Sequence, residues 1–278
     1  MLVILSDSSA PYQSFAKTLN KNLPPLVQTS VLEYSEQLLH EMPQANLIVA
    51  VGMKATELVA AQTSIPVLAV MIPRMSYEKL RAQTCRNRIT CLESAIYIDQ
   101  PLVRQIDFLR AAFPDRRRVG LLNSLDVLDV TDIRQDLAKR GGSLVVETVL
   151  SANDLFPRLK SVLTNSDILL AIPDSMIYNS SNIRNILLTS YRYGVPLIGL
   201  SQAYVNAGAL CGIFSTPEQL AVQAGVVVNI FERTGQLPEP QYPADFNIAI
   251  NQQVAHSLEI AVPAPETIRM RMDSANGE

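Results

Sequence analysis

Short apolar runs of strand length punctuate the chain at Leu2–Leu5, Leu47–Val51, Pro66–Met71, Val119–Leu122, Leu144–Val149, Ile168–Ile172 and Pro196–Leu200. Several lack any alternation with polar residues, the pattern of parallel strands covered on both faces. Between them lie segments with apolar residues three and four apart, such as Phe15–Leu23, Val103–Phe113 and Ile183–Tyr193, which predict amphipathic helices. Strand and helix alternate in this way twice over, so the pattern predicts an α/β protein of two Rossmann-like lobes with parallel sheets and right-handed crossovers.

Helix punctuation agrees with that division. Gly141-Gly142 follows Ile133–Arg140 and Gly194 follows Ile183–Tyr193, where left-handed C-terminal caps belong. Thr216-Pro217-Glu218-Gln219 has an N-cap residue, a proline at the first helical position and a capping-box glutamine; the helix it opens is expected to reach Thr234 and stop at Gly235. The segment from Pro263 to Glu278 has no clear apolar period and is expected to be extended, with Asp273–Glu278 partly disordered.

Composition narrows the field. The 278 residues suit two lobes of roughly 130–150 residues better than one core. Apolar residues make up 48%, enough for sizeable cores and too many for a disordered chain. A net charge of −3 gives no footprint for nucleic acid, and the one basic cluster, Arg116-Arg117-Arg118, reads as a solvated turn. No apolar run approaches the ~20 residues that span a bilayer. Cys85, Cys91 and Cys211 lack metal-ligand spacing. Cys85 and Cys91 pair across a short loop or stay as two thiols, and Cys211 is expected to be a small buried residue. Met1 leads directly into a strand, so either the protein is cytoplasmic or a leader has been removed from it.

In open parallel sheets, ligands bind beyond the carboxyl ends of the strands. The segments there are Ser6-Asp7-Ser8-Ser9-Ala10-Pro11, Gly52-Met53-Lys54-Ala55-Thr56 and Ile72-Pro73-Arg74-Met75-Ser76-Tyr77 in the first half. The second half supplies Asn123-Ser124, Pro173-Asp174-Ser175 and Ser201-Gln202-Ala203-Tyr204. Helix N-termini suit an anionic group, and Asp174 is placed to accept hydrogen bonds from an ammonium; the same residues also serve as helix caps. Tyr12, Tyr77, Tyr178 and Tyr204 offer faces for a planar ligand or pack the lobes. His40 and His256 lie away from these loops, and the chain has no G-x-S-x-G, Walker, H-E-x-x-H or G-x-G-x-x-G motif. It therefore reads as a binding protein and not an enzyme, with no cofactor and no metal.

A family resemblance sharpens this. Arg118-Val119-Gly120-Leu121-Leu122-Asn123, Ile168-Leu169-Leu170-Ala171-Ile172-Pro173-Asp174, Gly194-Val195-Pro196-Leu197-Ile198-Gly199, Ala207-Gly208-Ala209-Leu210, Ile248-Ala249-Ile250-Asn251-Gln252-Gln253-Val254-Ala255 and Ile48-Val49-Ala50-Val51-Gly52-Met53-Lys54-Ala55 carry it. Over about residues 1–262 the chain resembles the tryptophan/tyrosine-type substrate-binding proteins of ABC transporters, which have the type I periplasmic-binding fold. The resemblance implies a first lobe of residues 1–94 plus 217–245 and a second of 95–213 plus 250–278, with hinge crossings near 92–100, 213–216 and 246–251. It implies a small-molecule ligand, amino acid-like and aromatic, captured by hinge closure. Asp174 would hold the ammonium, and Ser8, Ser9 and the Gly52–Ala55 turn the carboxylate. Arg74 departs from the expected small or apolar residue; facing the ligand, it would favour a more acidic one. An ABC permease is the implied partner, the location periplasmic or extracellular with the signal peptide removed, and the state monomeric. Alternatives of other classes are a sensing subunit for a membrane-bound receptor, a cytoplasmic racemase-like enzyme, for which the cysteines do not occupy matching loops, and a repressor effector domain, which no helix-turn-helix precedes.

Overall fold

The structure is a computed structural model of the 278-residue chain, and it describes all residues except 36, 37, 39–41, 63, 85–91, 125–129, 140 and 276–278. Cys85 and Cys91, whose pairing the sequence leaves open, and His40 lie outside the described residues. The chain forms two compact units: Met1–Gln100 with Ser215–Phe246, and Pro101–Phe214 with Asn247–Glu278. It therefore passes between them three times, after Gln100, Phe214 and Phe246.

The first unit is a five-stranded sheet in the order β2-β1-β3-β4-β5, built from β1 (Leu2–Leu5), β2 (Ser30–Glu33), β3 (Ile48–Val51), β4 (Val67–Ile72) and β5 (Leu92–Tyr97). Every pairing in it is parallel. β1, β3 and β4 are buried along their whole length because helices cover both faces. On one face, α1 (Ala10–Lys21) and α9 (Pro217–Thr234) bury Phe15, Leu19, Leu220, Val227 and Val228 against Val3, Val49 and Leu68. On the other, α2 (Met53–Gln62) and α3 (Arg74–Thr84) bury Leu58, Val59, Tyr77 and Leu80 against Ile4, Ile48 and Ala69. Each fully buried side chain of this size contributes about 1.5–3 kcal/mol, which makes these two layers the main driving force for the unit.

The second unit repeats the plan. Its sheet runs β11-β10-β9-β8-β6-β7, from β6 (Arg118–Asn123), β7 (Ser143–Thr148), β8 (Ile168–Leu170), β9 (Leu197–Gly199), β10 (Cys211–Phe214) and β11 (Asn247–Ile250). Starting from β7, the first five strands follow the same order as the first sheet. The expected all-parallel sheet is corrected at one edge, where β11 pairs antiparallel with β10: the chain returns from the first unit in the opposite direction and adds itself to the free edge. Among the described residues five α-helices accompany this sheet before β11, namely α4 (Leu102–Ala112), α5 (Thr131–Lys139), α6 (Leu155–Asn165), α7 (Ile183–Arg192) and α8 (Gln202–Ala207), and two follow it, α10 (Gln252–Ser257) and α11 (Pro265–Ala275).

The expected glycine caps are present, with φ of 73° at Gly141, 66° at Gly194 and 71° at Gly235. The capping box is formed too: the Thr216 side chain accepts from Gln219 N and the Gln219 side chain accepts from Thr216 N. The expected extended tail is corrected. Residues Pro265–Ala275 form α11, which buries Ile268 and Met272, one helical turn apart, and ties Arg271 to the Ala111 carbonyl of α4 at 2.9 Å. Two buried residues in the segment are too few to show a period.

Candidate functional site

Both sheets have the strand order in which the crossover direction reverses beside the first strand, and ligands bind beyond the carboxyl ends at that point. In the first unit the reversal lies between β1 and β3, so the segments after Leu5 and Val51 meet there. The Ser6 hydroxyl, buried at the tip of β1, donates to Val51 O at 2.8 Å and accepts from Ala55 N at 3.0 Å. One of the first-turn amides of α2 is thus already satisfied by the protein. Gly52 has a φ of 85°, and a Cβ there would stand 2.5 Å from the Tyr12 hydroxyl and 2.7 Å from Ser6 Oγ; a turn this tight, covered by a tyrosine, requires glycine.

Around this turn Met53 is half-buried, Lys54 exposed and Ala55 buried. Ser8 and Ser9 are exposed; Ser9 is the N-cap of α1, without a side-chain capping bond, and its N–H goes to Asp7 Oδ1 at 2.9 Å. The hydrogen bonds from Ser9 hold the Asp7 carboxyl below its ordinary range, while burial, reinforced by Asp7, raises the Tyr12 phenol.

Arg74 opens α3 beyond β4. Its Nε donates to Glu78 Oε1 at 2.6 Å, its guanidinium to the Tyr242 hydroxyl at 3.0 Å, and its backbone N–H to Asp99 Oδ1 at 2.8 Å. The guanidinium also lies 5.8 Å from the centre of the Tyr242 ring. Its hydrogen bond to Glu78, then that to Tyr242, raises the Arg74 pKa further. Behind it, Tyr77, Tyr97 and Tyr242 stack edge to face, with centroids 5.8 and 5.3 Å apart. Just before it, Met71 has a φ of 58° at a register shift between Val70 and Ile72. A left-handed methionine in a strand is a bulge held by its surroundings.

In the second unit the reversal lies between β6 and β8, and there Asp174 joins the two tips. Its Oδ2 accepts from Ser124 N at 2.6 Å, and its Oδ1 from Met176 N at 3.0 Å and, weakly, Ile177 N at 3.4 Å. Asp174 and Asn123 are buried, Ser124 is half-buried and Ser175 exposed. The next tip, after β9, carries Ser201, the N-cap of α8, without a side-chain capping bond, and exposed Gln202, whose amide bonds Asn206 at 2.9 Å. Tyr204 reaches back to donate to Tyr178 O at 3.0 Å. Tyr178 is itself buried, its hydroxyl without a partner among the described residues, and burial together with Asp174 raises its pKa.

The structure therefore brings Ser8, Ser9, Gly52–Ala55 and Arg74 to one end of the first sheet. It brings Asn123, Ser124, Asp174, Ser175, Ser201, Gln202 and Tyr204 to the corresponding end of the second. Sequence reasoning placed Ser6 in a candidate segment without singling it out, and missed Asp99 and Tyr242. Ser6 had a signal, being the polar residue that ends an apolar strand; Tyr242 becomes a partner of Arg74 only through tertiary folding. His256 is exposed on α10, and among the described residues no group of three or more His, Cys, Asp and Glu is placed to hold a metal ion. Cys211 is buried, and burial raises its thiol.

Two α/β units of one topology, joined by three chain crossings and carrying polar strand tips at equivalent positions, define a bilobal binding protein of the type I periplasmic-binding fold. Residues 27–274 match the family model described as "ABC transporter substrate binding protein", and the chain belongs to that family. A search of curated proteins returns no match. Among solved structures, the chain is similar to a conserved domain protein of Vibrio cholerae O1 biovar El Tor (18% identity, 97% of each chain, TM-score 0.66). It is also similar to an ABC domain from Streptococcus pneumoniae in complex with L-Trp (16% identity, 97% of this chain and 98% of that one, TM-score 0.65). A third is a substrate-binding protein with adhesive properties from Clostridium difficile in a ligand-free, open structure (15% identity, 96% and 97%, TM-score 0.65). At these identities the likeness is one of fold. Among the described residues no helix is long and apolar enough to cross a membrane.

Proposed function

We propose that the chain is an extracytoplasmic receptor that captures an amino acid-like, aromatic solute between its two units by hinge closure and presents it to an ABC permease. The observation that carries this reading is the pairing of polar strand tips at the same topological position in both sheets, within a chain of the substrate-binding family. The L-Trp in the Streptococcus pneumoniae relative supports the solute class. In this reading Ser8, Ser9 and the α2 N-terminus take the solute's carboxylate. Since Ser6 occupies Ala55 N, the amides of Met53 and Lys54 serve as the donors, with the helix dipole behind them. Asn123, Ser124, Asp174, Ser175, Ser201, Gln202 and Tyr204 line the opposite side, where Asp174 has lone pairs beyond those its backbone donors use. Arg74, tied to Glu78 and Tyr242, borders the site as a fixed cation.

A solute that contacts both units favours the closed state by its differential affinity. Millimolar tyrosine or tryptophan should raise the melting temperature by several degrees, as expected for binding well above Kd. A panel of amino acids, small acids and nucleosides that leaves the melting temperature unmoved sinks the receptor reading.

A further inference from the structure

The second unit has a cleft of about 570 Å³ at the end of its sheet opposite to Asp174, and nothing in the proposed function uses it. It is framed by the end of α4, the segment that leads from it into β6, Leu137 of α5, Gly142 and Arg271 of α11. The volume falls within the ~300–1,000 Å³ of small-molecule sites. Four arginines reach it. Arg110 is committed to Asp107 at 3.2 Å and Asp136 at 3.4 Å. Arg116 donates to the Asp167 carbonyl at 2.8 Å and Arg271 to the Ala111 carbonyl at 2.9 Å, so each is positioned by a backbone oxygen but has no carboxylate partner among the described residues. The Arg117 guanidinium donates to no acceptor among the described residues, and Arg117 is exposed. Next along the chain, Arg118 is excluded, since it pairs with Asp167 through two nitrogens at 2.7 and 3.0 Å.

Three guanidinium groups gathered in a concavity repel one another in the absence of an anion, and together they focus a positive potential there. Each has donors left over in the fork geometry that matches phosphate oxygens. Phe113, Pro114 and Leu137 give the same cleft an apolar wall, with Phe113 and Leu137 themselves buried. Opposing an anion are the α4 C-terminal carbonyls and Asp107, but Arg271 covers Ala111 O and Arg110 covers Asp107.

We infer that this cleft is a second binding site, for a phosphate-bearing molecule with an apolar portion, held by Arg116, Arg117 and Arg271 against Phe113 and Leu137. The phosphate comes from a free metabolite or from a lipid headgroup. Calorimetric titration of the full chain with inorganic pyrophosphate, at ionic strength matched with chloride, tests it. Saturable binding should weaken roughly tenfold or more in Arg117→Gln, a variant that removes no side-chain hydrogen bond among the described residues, and stay unchanged in Arg233→Gln on α9. Sedimentation with phosphatidylcholine vesicles, with and without phosphatidic acid, separates the sources. Retention on the acidic vesicles that is lost in Arg117→Gln assigns the headgroup; pyrophosphate binding without retention assigns the metabolite. Absence of pyrophosphate binding beyond chloride, or binding unaltered in Arg117→Gln, overturns the site.

Discussion

Asp174 has two demands on one carboxylate. Three backbone N–H groups already point at it, and one of them, Ser124 N, belongs to a strand tip fifty residues away in sequence. Removing the carboxylate leaves those donors facing a buried space, and hydrogen bonds to a charged group are worth about 1.5–3 kcal/mol each before water replaces them. Asp174→Ala should therefore lower the unfolding free energy of the ligand-free protein by about 2 kcal/mol, read from urea denaturation midpoints at constant slope. A variant as stable as the wild type would free the carboxylate for the solute alone. At this scale the sequence is half legible. A carboxylate after proline at the end of an apolar strand is visible in Ile168–Asp174, but its acceptance of Ser124 N is a tertiary fact. Arg74 shows the same limit: its partner Tyr242 lies far along the chain, in the segment that returns to the first unit, so its tie to that hydroxyl could not be read from the loop that contains it.

Elements are legible where local signals and burial agree. β1, β3 and β4 read as uninterrupted apolar runs because both faces are covered. β2 does not, because it is an edge strand with three of its four residues exposed, and β10 is masked by the glycine at its second position. β5 and β11 sit where the chain changes unit, so the same residues read as connecting segments. α9 is the clearest case of agreement. Thr216 caps it, Pro217 starts it and Gly235 ends it, while Leu220, Ala224, Val227, Val228 and Phe231 fill the face turned to α1 and the sheet. The helix begins directly after the chain re-enters the first unit, so its cap fixes where that layer starts. Thr216→Ala should cost about 1 kcal/mol, and Thr216→Ser should restore most of it. Equal midpoints for the alanine and wild-type chains in urea would mean that α9 is held by packing alone.

The whole molecule is one topology used twice, and the two copies are linked by segments that must satisfy their own polar groups. The first crossing leaves β5 through Asp99 and Gln100. There the Gln100 amide donates to Ser215 Oγ at 2.8 Å, at the second crossing, and Asp99 accepts the N–H of Arg74. Burial outweighs that hydrogen bond and the nearby Arg74 charge, and pushes the Asp99 carboxyl up to about 6, against about 3.9 in an unfolded chain. The folded state therefore holds this proton more tightly than the unfolded state does. Its contribution favours folding at pH 4, is lost as the pH rises towards 6, and is absent above that. The whole change amounts to about 3 kcal/mol for such a shift, of which about 2 kcal/mol falls between pH 4 and 7. Many other carboxylates titrate over the same range, so the prediction concerns a difference. Asp99→Asn keeps an oxygen for Arg74 N and has no proton to lose; its stability should match the wild type near pH 4 and exceed it by up to about 2 kcal/mol at pH 7. If the two pH profiles run parallel from 4 to 7, Asp99 titrates in the folded protein as it does in the unfolded chain, and burial does not hold its proton at the first crossing.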